Sequence, residues 1–179
     1  MIPAPLLTIR LARRPDGAVL FELRRADGSA TWQKRAGPTA EFFAVHDLTH
    51  YAVESAFGFR RAFYGLVADG WDLADFGSPW RRGPLPTEAL AAEVIVGCFD
   101  RQRATHEPLG ASECNGAAHD YFAARGAPAP VHVTDEKLDR ARSLRSDLVW
   151  RWHAAGPRDS VELTFPHALH RTHVEAGSR

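Results

Sequence analysis

His46, Asp47, His50 and Glu54 lie together in the stretch from Phe42 to Phe57, where several side chains able to do chemistry recur at a regular spacing. A helix turns about 100° per residue, which brings His46, His50 and Phe57 within roughly 40° of one another, with Phe42, Phe43 and Val53 beside them. Val45, Leu48, Ala52 and Ala56 cover most of the opposite side. A helix that is apolar nearly all round is predicted to run through the middle of a fold, and polar groups carried into that interior must find partners. Two imidazoles at i and i+4 stand about 5–6 Å apart on one face, an arrangement that grips a single divalent cation.

The acids divide by reach. Asp47 is placed to act as a general base or to orient a ligand, whereas Glu54 is about 12 Å along the helix from His46 and cannot share one ion with both histidines. Glu54 is therefore expected to support His50. A catalytic centre needs a third ligand from another segment. Glu93 is the first candidate, followed by His119 or Asp120, and then Glu113 or Cys114. On this reading His46, His50 and Glu93 hold a divalent metal ion such as Zn²⁺, Asp47 and Glu54 are the catalytic carboxylates, and metal-activated water attacks the substrate.

The element His46-Asp47-x-x-His50 resembles the His-Glu-x-x-His signature of zincin-type metallohydrolases, with Asp in place of Glu. It also resembles the His-Asp-x-x-His element of a zinc-binding family required for ubiquinone biosynthesis. That family places a Glu eleven residues further along, an interval that leads here to Ala62. The resemblance implies zinc binding by His46 and His50. His-Asp doublets at His46-Asp47 and His119-Asp120 are also the signature pair of HD-type phosphohydrolases, but those require an upstream His, and none precedes His46. The competing account is a non-catalytic binding protein in which the His, Asp and Glu side chains form a buried structural network.

The 22 basic and 22 acidic residues cancel, and 45% hydrophobic with 25% charged residues is ordinary for a globular chain. No nucleic-acid or membrane partner is expected, and the substrate is read as a small molecule of unspecified kind. The basic set is 20 Arg against 2 Lys in a chain rich in Ala, Gly and Pro, which reflects composition rather than a phosphate-binding surface. Cys98 and Cys114 are too few for a disulfide framework, and Met1 to Leu7 lacks the basic and apolar regions of a signal peptide, so a cytoplasmic setting is expected.

The elements that must position the histidines read as α+β. Residues 6–35 alternate apolar and polar positions around Pro15-Asp16-Gly17 and Ala26-Asp27-Gly28-Ser29, giving a three-stranded antiparallel meander whose arginines (Arg10, Arg13, Arg14, Arg24, Arg25) lie on a solvated face or at strand ends. Thr39 is the expected N-cap of the His-bearing helix over residues 40–57. Further helices are expected at 59–68, 87–104, from Ser112 to Arg125, and 135–153, with an irregular aromatic loop over 71–86 carrying Trp71, Phe76 and Trp80. Residues 160–165 alternate again and add a fourth strand. The expected organisation is a single domain over 1–165, a small antiparallel sheet packed against a helical layer, followed by a flexible tail at 166–179 in which His167, His170 and His173 are solvated.

Overall fold

The computed structural model describes residues 6–77 and 81–166; Trp80 and the histidines at 167, 170 and 173 lie outside them. The alternating segments form β1 (Leu6–Arg13), β2 (Val19–Arg24), β3 (Ala30–Arg35) and β4 (Ser160–Pro166). They build one antiparallel sheet in the order β3-β2-β1-β4. The turns work as their residues require. Gly17 and Gly28 take φ of 78° and 87°, while Asp16 and Asp27 accept hydrogen bonds from the Ala18 and Ser29 amides at 3.1 and 2.9 Å.

One sheet face is apolar. Leu7, Ile9, Leu11, Val19, Phe21, Leu23, Val161, Leu163 and Phe165 are buried against helices, and the other face carries pairs such as Arg10–Glu162 at 3.2 Å. Two arginines expected at solvated positions do structural work instead. Arg25 donates to the carbonyls of Val67 and Trp71 and to Asp72, and Arg13 lies 4.1 Å over the Trp152 ring while bonding Glu41. Each satisfies acceptors that the helical layer would otherwise leave open.

The helices are α1 (Ala40–Phe57), α2 (Phe63–Ala68), α3 (Thr87–Thr105), α4 (Ala111–Ala123) and α5 (Asp135–Ala154). Thr39 occupies the N-cap position of α1, but its side chain makes no capping bond. Thr134 does cap α5, accepting from the Lys137 amide, and Glu113 accepts the Gly110 amide at the start of α4. α1 packs on α5, α3 and the sheet, and it belongs to both apolar clusters. Ala44, Val45 and Leu48 join the cluster under the sheet, whereas Val53, Ala56 and Phe57 join that among α3, α4 and α5. His50 and Glu54 sit around the junction.

The helix expected over 59–68 is shorter because Gly58, at φ 72°, ends α1 and the Arg60 and Arg61 amides donate to the Glu88 carboxylate rather than to helical carbonyls. Part of the expected irregular loop is a 3₁₀ turn, Leu73–Phe76, closed by the Asp72 amide donating to Asp75. α2 comes close to the chain before it: a Cβ built on Gly65 would collide with the Arg60 carbonyl oxygen. Gly65→Ala should therefore destabilise the fold by about 1–3 kcal/mol, read from the denaturant midpoint, because backbone rather than a flexible side chain must move.

Candidate metal centre

α1 and α3 run antiparallel across the site, since His46 faces Asp100 and His50 faces Glu93. Glu93 and Asp100 are two turns apart on α3, so both carboxylates reach the same side of it. The His46 and His50 rings lie 4.9 Å apart between centroids, at 69° to each other. His46, His50 and Glu93 each offer a ligand atom, and these atoms lie within 4.8 Å of one another, a group that could hold a metal ion.

Both rings are held from behind. His46 Nδ1 is 2.8 Å from Asp100 Oδ2, and His50 Nδ1 is 3.2 Å from Glu54 Oε1. In a neutral imidazole a carboxylate on Nδ1 keeps the proton there and turns the Nε2 lone pair outward, which is how metal-binding histidines are commonly oriented. Phe42 stacks on the His46 ring at 5.8 Å and Phe63 leans on that of His50 at 5.7 Å, so neither imidazole can swing freely.

The centre is graded from dry to open. Glu54 is 0% exposed, and its second oxygen accepts the Tyr64 amide at 3.0 Å; at the other end the Glu93 side chain is 50% exposed. Tyr64 also donates its hydroxyl to the Asp47 carbonyl at 2.8 Å, which ties α2 to the middle of α1. The Asp47 carboxylate forms a short ion pair with Arg35 of β3, whose guanidinium is 4.8 Å from the Phe43 ring centroid. Burial raises the Asp47 pKa, and Arg35 opposes that rise.

Protons and metal compete at His50. Burial pulls its pKa down, but Glu54 and Glu93 on its two nitrogens outweigh burial and lift it to about 10. Burial likewise raises Glu54, with the His50 charge opposing, while His50 outweighs burial at Glu93 and lowers that carboxyl.

The remaining candidates are placed elsewhere. His119 and Asp120 pair with each other on the exposed side of α4, Glu113 caps that helix, and Cys114 is buried beside Cys98. Asp100 and Arg35 are the partners that sequence reasoning did not assign. For Asp100 a signal existed in its seven-residue spacing from Glu93, which matches one face of α3 to the face of α1 that bears His46 and His50. Comparisons with protein-family models, with curated proteins and with solved structures find no match. The geometry itself therefore carries the functional argument.

With the folded His50 pKa raised from 6.5 to about 10, its stabilising contribution is complete below about pH 6.5 and is lost as pH rises towards 10. Metal-free protein should accordingly show a falling urea midpoint between pH 6.5 and pH 10. A flat profile over that window would mean that His50 is not held as an imidazolium between its two carboxylates.

Proposed function

We propose that the protein binds one divalent metal ion, zinc by preference, through His46, His50 and Glu93, and uses it in a hydrolytic reaction. The single observation that carries this reading is that both imidazoles have Nδ1 engaged by carboxylates while a third, half-exposed carboxylate converges on the same space. A tetrahedral ion with bonds of about 2.0–2.1 Å separates its donors by roughly 3.4 Å. The His50 Nε2 to Glu93 Oε1 distance of 3.5 Å already matches, and rotation of the exposed Glu93 side chain can close the rest of the group. Two nitrogens and one carboxylate oxygen form a donor set suited to zinc, and three protein ligands would leave the fourth tetrahedral position to water or substrate.

An ion there would supply Lewis acidity and lower the pKa of a coordinated water to near 7. The chain's own residues prepare for it. Asp100 and Glu54 hold the rings in one tautomer, and the bulk of Phe42 and Phe63 limits the rotamers available to them. Of the two roles open to Asp47, the Arg35 pair favours positioning: it locks α1 to β3 rather than presenting a free carboxylate to the ligand space. Glu54, closed in by His50 and the Tyr64 amide, supports the ligand rather than the substrate.

The competing reading, a structural polar network in a binding protein, is favoured by the two carboxylates that close on both nitrogens of His50. Metal content separates the two. Elemental analysis of tag-free protein should find near-stoichiometric metal in the parent, or after loading with zinc, and none in folded His46→Ala/His50→Ala. A parent that cannot be loaded would leave the network as structure alone. Asp100→Asn should keep the fold yet weaken zinc binding by about 10–100-fold, measured by chelator competition, since it removes the charge behind the His46 ring.

A further inference from the structure

Between the C-terminal end of α3 and the middle of α5 lies a cleft of about 280 Å³ lined by Phe99, Gln102, Arg103, His106 and Arg145. We propose that this cleft is a binding site for a small oxyanion of the phosphate or carboxylate class, gripped chiefly by Arg103 and Arg145. The inference goes beyond the metal reading and does not require it. A volume just below the range typical of organic ligand pockets suits a compact anionic group rather than a large apolar molecule.

The two guanidiniums are fixed in place but incompletely partnered. Arg145 is partly buried, with Nε donating to the buried Thr49 hydroxyl at 2.9 Å and its guanidinium 5.7 Å from the Phe99 ring centroid. That bond fixes the orientation of the fork. Among the described residues its two terminal nitrogens have no hydrogen-bond acceptor and Arg145 has no carboxylate within ion-pair distance. Arg103 is similarly placed, 4.5 Å over the Phe42 ring, and its nearest acid, Asp100 Oδ1, is 3.9 Å from Nε, beyond hydrogen-bond reach.

Asp100 is already committed to His46 through its other oxygen, and Oδ1 is buried without a partner. The protein therefore holds two cations side by side and neutralises neither fully. Burial lowers the Arg145 pKa from its ordinary value, with Asp100 opposing and the like charge of Arg103 adding to the effect. A planar guanidinium with free terminal N–H groups matches the geometry of phosphate and carboxylate oxygens, and a pair of them matches a dianion. His106, held at φ 58° where α3 ends, places a further donor at the rim. The carbonyl end of α3 opposes an anion, so the arginines must supply the attraction.

The test is titration of chelator-treated, full-length protein with inorganic phosphate at low ionic strength, following the arginine Nε–H resonances and the heat of binding, with acetate run in parallel. Saturable one-site binding of phosphate is expected, weakened about 10-fold or more in Arg103→Gln and in Arg145→Gln, since each removes charge-assisted hydrogen bonds. Arg103→Gln breaks no hydrogen bond among the described residues, so it reports on the site even if Arg145→Gln is unstable. The remote Arg125→Gln should bind like the parent, and saturation of protein already stripped of metal by chelator separates this site from the metal centre. Saturation by acetate and not by phosphate would assign the carboxylate source. Absence of saturable binding of either ion, or affinity unchanged in Arg103→Gln, would overturn the proposal.

Discussion

A carboxylate with no solvent exposure, Glu54, stands in the last turn of the helix on which the fold turns. An unpaired charge there would cost several kcal/mol, on the order of the net stability of a domain of this size. Its two oxygens are therefore committed, one to His50 and one to the Tyr64 amide. These two bonds determine much else. The first fixes the ring that faces Glu93, and the second holds the start of α2 against α1, where Tyr64 reaches back to the Asp47 carbonyl, while Gly65 lets α2 pass close to the Arg60 backbone.

The same logic of committed carboxylates runs outward from the core. Asp47 is used by Arg35, Asp100 by His46, and Glu88 by the two amides that follow α1. Each tie links a different pair of elements: β3 to α1, α3 to α1, and the 58–62 connection to α3. Glu93 is the exception, because it meets His50 only at ion-pair distance and remains half exposed. Buried groups with fixed partners and one mobile carboxylate at the opening are what a site that receives a ligand requires, since preorganised donors lose little freedom on binding and the mobile one can close.

The sheet, its meander order and the extent of α1 were legible because alternation and helical periodicity are local properties, and the turn residues at Asp16-Gly17 and Asp27-Gly28 mark their own positions. The sharing of one face by His46 and His50 follows from spacing alone. The shorter α2 was not legible, since Phe59 to Ala62 has acceptable helix propensity and is held open by Glu88, a partner far along the chain. The choice of Glu93 over His119 rested on amphipathic position, and the structure brings Glu93 to the histidines because α3 lies antiparallel to α1. The Asp100 and Arg35 pairings and the ties made by Arg13 and Arg25 depend on packing between distant elements. Single-sequence patterns place charged residues of this kind on solvated faces, which is where most of them belong.

The central claim is that carboxylates hold His46 and His50 by Nδ1 so that both Nε2 atoms can meet one ion, with Glu93 turning from a partner of His50 to a fellow ligand. Long-range ¹H–¹⁵N correlation of the imidazole nitrogens, recorded before and after addition of one equivalent of zinc, tests it directly. Both rings should carry the proton on Nδ1 in the zinc-loaded protein, with both Nε2 resonances moving to positions typical of metal coordination and no other histidine following. Unchanged Nε2 signals, or coordination through Nδ1, would contradict the account.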